Sequence, residues 1–323
     1  MMRALALPLI VLVLIAVLAL GLAVALGSAA TGPSQLAAVL TGQGDDLSRT
    51  LVLELRLPRA LAAFATGGLL AVAGALMQVL LRNPLADPYV LGLSGGAAVG
   101  ALLAMLAGLG SVLVSGSAFA GALLSTLLVF GLAHGTGSWT PSRLLLTGVV
   151  VAAGWGAVVT LMLALSPARA LPGMLYWLMG DLSYARSPLP ALLVLATICL
   201  LAFPLGRSLN VLARGSLQAA ALGVAVRPLE WTVYIAASLL TAVAVTLAGS
   251  IGFVGLVVPH MLRLVLGNDQ RLILPASALA GGTLLTLADT LARTVIAPEQ
   301  LPVGVITALL GVPTFLYLLH RSR

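Results

Sequence analysis

Chemistry needs nucleophiles, bases and metal ligands, and this chain supplies few of them. Its one thiol is Cys199, and its three histidines, His134, His260 and His320, have no ligand spacing between them. Neither H-x-x-x-H nor C-x-x-C occurs, so no metal centre is expected. A single cysteine makes no intrachain disulfide and leaves the redox compartment undetermined. His260 follows Pro259 in an apolar run, where an imidazole satisfies a backbone carbonyl more often than it holds a metal. All 16 basic residues are arginine, with no lysine. A complete Walker A loop, which needs a lysine on the phosphates, is therefore excluded, as is Schiff-base chemistry. No nucleophile stands with a base. The one acid in need of a partner is Asp289, inside an apolar stretch, and Arg293 lies one helical turn on. The chain is expected to catalyse no covalent reaction itself and to need no cofactor.

The elements that carry these residues are set by hydropathy. Of 323 residues, 61% are hydrophobic and 8% charged, against about 25% charged in soluble domains. Mean hydropathy is +1.16. That excludes an ordinary soluble enzyme, a disordered protein and a disulfide scaffold. The bilayer is the better ruler, at roughly 20 apolar residues per crossing. Charge-free stretches cover 4–44, 60–81, 88–142, 144–168, 187–206, 231–262, 272–288 and 300–320. The third is long enough for two spans, broken near Gly108–Gly116. The 231–262 stretch can hold two, broken at Gly249-Ser250-Ile251-Gly252. The sum is an all-α membrane protein of about ten helices, or nine if the short span after that break does not cross, in a single membrane domain over 1–323. Arg3 before an apolar run ending near Ala30 could be a signal peptide. The run exceeds the roughly 7–15 residues of a signal core, so a retained first helix is preferred.

With the N-terminus inside, ten arginines fall on the inner side: Arg3, Arg82, Arg143, Arg207, Arg214, Arg227, Arg263, Arg271, Arg321 and Arg323. Six fall outside: Arg49, Arg56, Arg59, Arg169, Arg186 and Arg293. This is the positive-inside bias, and it puts both termini in the cytoplasm. The net charge of +7 is then a topology signal. No basic run with interleaved aromatics points to nucleic acid.

Gly92, Gly96 and Gly100, and Gly67, Ala71 and Gly74, make small-residue faces that let helix backbones approach. Packing within one subunit is the preferred reading over a homodimer seam. Pro259, Pro275, Pro302 and Pro313 fall at or near membrane depth, where irregular backbone is tolerated only inside protein or along a watery path. Residues 29–57 read as an outer loop with an amphipathic piece at 33–40, and Arg56 and Arg59 as anchors snorkelling to the interface. Residues 171–180 read as a short helix at the outer surface, serving either as an interface helix with Tyr176 and Trp177 at headgroup level or as a cavity rim. The inner loop 207–230 carries a short helix after Gly215-Ser216, stopped at Gly223, with little to bury in its own subunit. It is either a plain loop or a piece that docks into a partner's groove.

Several motifs in order resemble one family, the permease subunits of ABC importers for ferric siderophores, haem and cobalamin. They are Arg56-Leu57-Pro58-Arg59, Asn83-Pro84-Leu85-Ala86-Asp87-Pro88, Leu91-Gly92-Leu93-Ser94-Gly95-Gly96, Ser142-Arg143-Leu144-Leu145-Leu146, Tyr176-Trp177-Leu178-Met179-Gly180, Ala221-Leu222-Gly223-Val224, Gly252-Phe253-Val254-Gly255-Leu256-Val257-Val258-Pro259-His260 and Leu301-Pro302-Val303-Gly304-Val305. The resemblance implies the type II importer permease fold in the inner membrane. It implies a homodimer with two ATP-binding cassette subunits below, which carry ATP and Mg, and a periplasmic or lipoprotein substrate-binding protein above. By position, Gln218, Ala221, Leu222, Gly223 and Val224 match the coupling segment that meets the ATPase. Asn83, Leu85, Pro141 and Ser142 match an inner gate; Pro141 departs from the Thr-Ser pair of cobalamin permeases. Arg56, Arg59 and Arg293 match outer arginines that dock the binding protein. Haem, ferric siderophores and cobalamin remain open as cargo. A non-transporting membrane scaffold or sensor is the reading from another class, and a membrane enzyme is disfavoured by the lack of polar intramembrane constellations.

Overall fold

Long charge-free runs of Leu, Ala, Val and Gly leave the backbone little choice but helix, since a helix satisfies its own polar groups without water. A computed structural model describes residues 2–27, 38–39, 41–42, 44–134, 140–183, 185 and 187–321. The elements are α1 (Met2–Ala25), α2 (Asp46–Leu80), α3 (Leu93–Leu106), α4 (Ser111–His134), α5 (Pro141–Leu165), α6 (Leu171–Leu178), α7 (Leu189–Ala202), α8 (Gly206–Leu212), α9 (Ser216–Ala221), α10 (Val226–Ala248), α11 (Val254–Leu266), α12 (Gln270–Thr294) and α13 (Val303–Arg321). Six of them, α1, α2, α4, α5, α10 and α12, are each long and apolar enough to cross a membrane. The pair α7 and α8, bent by 75°, and the shorter apolar helices α3, α11 and α13 bring the hydrophobic helices among the described residues to about ten.

Helix starts follow side-chain chemistry. The Asp45 carboxylate accepts from the Ser48 amide and opens α2, Thr140 accepts from the Arg143 amide ahead of Pro141 at the start of α5, and Asp269 accepts from the Arg271 amide at the start of α12. Such caps satisfy amides that a helix's first turn leaves open. The expected outer loop at 29–57 is thereby corrected. It gives way to helix at Asp46, which runs through a π-helical stretch, Thr50–Arg56, into the buried span. The segment expected at 33–40 lies, but for two residues, outside the described residues, as do Arg186 and Arg323.

The core forms around α2, whose residues from Ala60 to Leu80 are nearly all buried against α12, α10, α11 and α7. The small-residue faces work within the one chain. A Cβ on Gly67 would strike the Gly281 carbonyl, one on Gly74 the Gly255 carbonyl, and one on Gly96 the Gly121 carbonyl. Backbones approach there because no side chain intervenes. Pro259 inside α11 offers no amide to the Gly255 carbonyl four residues back. The Gln78 amide reaches that carbonyl at 3.5 Å and that of Leu256 at 3.2 Å. By contrast α5 leaves most of its surface, including Leu146, Val149, Val150 and Leu161, exposed. The short helix expected at 171–180 is present as α6, with Met174 fully buried and Leu175 and Tyr176 exposed.

Candidate functional sites at the two ends

The links between helices gather into two polar ends. One contains Arg59 and Asp289, the other Arg82, Asn210 and Asp269.

At the Arg59 end, the stretch of α2 around Arg56–Arg59 faces the last turns of α12. Asp289 is fully buried, and Arg59 grips it as a fork, with Nε 3.1 Å from each carboxylate oxygen and Nη2 2.8 Å from Oδ1. Arg293 donates from Nε to Oδ2 at 3.0 Å, the pairing its i, i+4 spacing foretold. Arg59 also donates to Gln300 Oε1 at 2.7 Å and Ser183 Oγ at 3.3 Å. The other bonds run to the end of α1. Arg293 donates to the carbonyls of Ala23 at 3.2 Å and Leu26 at 3.4 Å, and Arg56 to those of Val24 and Ala25, both at 3.2 Å. These carbonyls are the ones a helix C-terminus leaves without donors, and they carry about half a negative charge. Three arginines thus share one carboxylate and one helix terminus. A cavity of about 260 Å³ lies beside them, lined by Glu54, Arg56, Arg59, Ser183, Arg293 and Gln300 among others.

Arg56, Arg59 and Arg293, expected as outer arginines that dock a binding protein, thus lie together at one end, but two of them are not surface charges. Arg56 and Arg293 are 6% and 4% exposed, turned inward because α1's terminal carbonyls and Asp289 are better acceptors than a crowded surface. Arg59 retains an edge on the cavity, with its side chain 13% exposed. Its partner Asp289 was not legible, since they lie 230 residues apart.

At the Arg82 end, α8 and α9 project from the α7–α10 connection. Of α9 only Ala219 is buried; Leu217 and Leu222 are 87% and 71% exposed, and Gln218 and Ala221 are exposed too. The helix ends in a tight motif. The Gly223 amide donates to Ala220 and the Val224 amide to Ala219, both at 3.0 Å, with Gly223 at φ +79°, a left-handed stop that glycine adopts freely. Arg82 Nη1 donates to Ser216 Oγ at 3.3 Å, tying the α2–α3 link to α9.

That link is folded on itself. Asn83 Oδ1 accepts from the Leu85 amide at 2.9 Å, and Asp87 Oδ1 from the Tyr89 amide at 2.7 Å. Burial pushes the Asp87 carboxyl up to about 6, against the pull of the Tyr89 amide. The Tyr89 hydroxyl accepts from the Ile251 amide at 3.1 Å. Pro141 and Ser142 form the first turn of α5, and Gly148 lets α5 lie against the Val90 carbonyl. Asn83 and Leu85 therefore sit on the α2–α3 link and Pro141 and Ser142 on α5, and the two elements meet at Val90 and Gly148, away from these four side chains. A polar hub here went unread in the sequence. Gln78 donates to the Ala86 carbonyl at 3.3 Å and accepts from Arg263, whose Nη2 donates to the Ala75 carbonyl at 3.2 Å. A lone amide in a charge-free span was the available signal.

The model of one family, the FecCD transport family, matches residues 11–321. The chain belongs to that family. Among its relatives, the hemin transport system permease protein HmuU of Yersinia pestis is 40% identical over 93% of this chain and 92% of its own length. The vitamin B12 import system permease protein BtuC of Vibrio cholerae is 44% identical over 86% of this chain and 85% of its own. A solved inward-facing metal-chelate-type ABC transporter superposes with a TM-score of 0.86 at 29% identity, covering 97% of this chain and 98% of that one. Family membership makes the chain a multi-pass membrane permease and agrees with the all-helical importer fold and its roughly ten hydrophobic helices.

Proposed function

We propose that the chain is one of two identical membrane subunits of a binding-protein-dependent importer, moving a large metal chelate, a ferric siderophore or haem, across the inner membrane. ATP and Mg belong to a separate cassette subunit, a division supported by the absence of lysine for a Walker A loop. Cobalamin is the second cargo, favoured by the relatives named for vitamin B12. Both termini lie in the cytoplasm in this reading, with the Arg82 end inside.

The observation that carries the proposal is α9, a rigidly stopped helix that leaves Leu217 and Leu222 bare. Exposed leucines on six residues of helix have no use in a lone subunit and suit a groove on a partner. Gln218, Ala221, Leu222, Gly223 and Val224 would receive the ATPase stroke. Asn83, Leu85, Pro141 and Ser142 would close the inner gate against the second copy. A binding protein would dock at the opposite end through a carboxylate entering the cavity at Arg59, with Arg56 and Arg293 supporting it from behind.

The test uses the full transporter in proteoliposomes. Leu222→Asp and Ala221→Arg should preserve the dimer while lowering ATP-driven chelate uptake at least tenfold. Uptake at the normal level in both variants would overturn the assignment. Uptake of haem, a ferric siderophore and cobalamin measured in parallel assigns the cargo.

A further inference from the structure

A cavity of about 510 Å³ opens at the Arg82 end beside α9, and the gate and coupling roles leave it unused. Its lining includes Arg82 from the α2–α3 link, Asn210 from α8, Arg214 from the α8–α9 link, Arg263 from α11, and Asp269 and Gln270 where α12 begins. The charges do not balance. Asp269 is taken, since Arg271 holds it at 2.6 Å and Asn210 donates to it at 3.0 Å. The Arg271 bond keeps that carboxyl well below the usual range, so it stays a full anion committed to its own partner. Arg82 donates to the Ser216 hydroxyl, and Glu230 of α10, which it shares with Arg227, acts on it at longer range without an ion pair. Arg263 is spent on the neutral oxygens of Gln78 and Ala75. Among the described residues, neither these two nor Arg214 forms an ion pair. Three guanidiniums from three elements thus line one cavity, and among the described residues none of them is in a close ion pair.

A second observation concerns Gln270. It is 2% exposed, lines the same cavity, and its Oε1 has no hydrogen-bond partner. A buried acceptor left unmade is costly, so this oxygen calls for a hydroxyl donor.

We propose that this cavity binds a phosphate that carries a hydroxyl donor, with the arginines on the phosphate oxygens and Gln270 Oε1 on the hydroxyl. Arginine suits this because its planar fork matches phosphate oxygens. The headgroup of a glycerol-bearing anionic lipid supplies both groups. A free, singly protonated phosphate supplies the same chemistry from solution. Because Arg214 is two residues from Ser216 and Arg82 is bonded to it, occupancy would also hold α9 against the α11–α12 corner. This inference is independent of which chelate is carried.

The test uses the full chain in nanodiscs, counting bound lipid by native mass spectrometry, with thermal protection measured alongside. Phosphatidylglycerol should be retained over phosphatidylcholine by the wild type. Arg214→Gln and Arg82→Gln should each weaken that retention about fivefold, the effect of roughly one surface arginine on an anionic lipid. Both side chains are exposed, so these variants should fold. Gln270→Leu should weaken retention of phosphatidylglycerol more than that of phosphatidylmethanol, an anionic diester whose headgroup has no hydroxyl. If inorganic phosphate protects the wild type, fails to protect Arg214→Gln, and phosphatidylglycerol adds nothing, the site stands with a soluble ligand. Equal lipid retention and equal phosphate response in the wild type and both arginine variants would overturn the proposal. So would loss of bound phosphatidylglycerol whenever the ATPase subunit is present, since the arginines would then serve a partner's carboxylate.

Discussion

Asp289→Asn isolates the central contact of the Arg59 end. The substitution keeps the shape and one acceptor oxygen but removes the charge shared by Arg59 and Arg293. Their side chains are 13% and 5% exposed, and that of Asp289 is 1% exposed. Taking away one member of a buried ion pair costs about 3–5 kcal/mol, because the remaining charge is left uncompensated. Gln300, Ser183 and the α1 carbonyls still accept from the two guanidiniums, so the lower figure, about 3 kcal/mol, is expected. At about 2 °C per kcal/mol for a chain of this size, the melting temperature should fall by roughly 6 °C. The sole thiol, Cys199, is half-buried in α7, so a thiol-reactive dye reports unfolding without an added probe. Arg59→Gln alone should cost less, since Asp289 keeps Arg293. The double variant should be milder than the sum of the two by about 0.5–3 kcal/mol, as for residues in direct contact. A melting temperature for Asp289→Asn within 2 °C of wild type, or strict additivity in the double variant, would refute the reasoning.

Gly74→Val should lower the melting temperature by several degrees, because its new carbons meet the Gly255 backbone, which cannot yield as a side chain would, and such overpacking costs about 1–3 kcal/mol or more. Gly21→Ala on α1, with open space around it, should melt at or slightly above wild type in the same assay. Asp87→Asn should remove a pH dependence: with the carboxyl raised from 3.8 to about 6 in the fold, its contribution is complete below about pH 4 and lost as pH rises through 6. The variant retains an oxygen to accept from the Tyr89 amide, so it should melt above wild type at pH 7.5, with the gap closing as pH falls below about 4; a constant gap over that range would argue against Asp87 as the source.

What could be read in the sequence was what depends on one segment at a time. Breaks at Gly108–Gly116 and Gly249–Gly252 were found because hydropathy and glycine act locally, and the helix breaks lie at 107–110 and 249–253. The short helix stopped at Gly223 was found for the same reason. The start of α2 was misjudged because span ends were drawn at charges, although Asp45-Asp46 before Leu47 carried a cap signal that the structure uses. Partner choice was the other failure, and it has a physical cause. An arginine near a span end reads as surface charge because an unpaired guanidinium belongs in water. Burial becomes favourable only where independent acceptors converge, and none of them is visible at the arginine itself. Here they are an acid deep in α12, an amide at Gln300 and the last carbonyls of α1, all remote in sequence from Arg56 and Arg59. The same convergence makes the two ends of the molecule differ. At the Arg59 end Arg56 and Arg293 are consumed in tying α1, α2 and α12 together, which favours a rigid platform with one edge of Arg59 left bare. At the Arg82 end Arg82, Arg214, Leu217 and Leu222 stay exposed, which leaves that end equipped to meet something else.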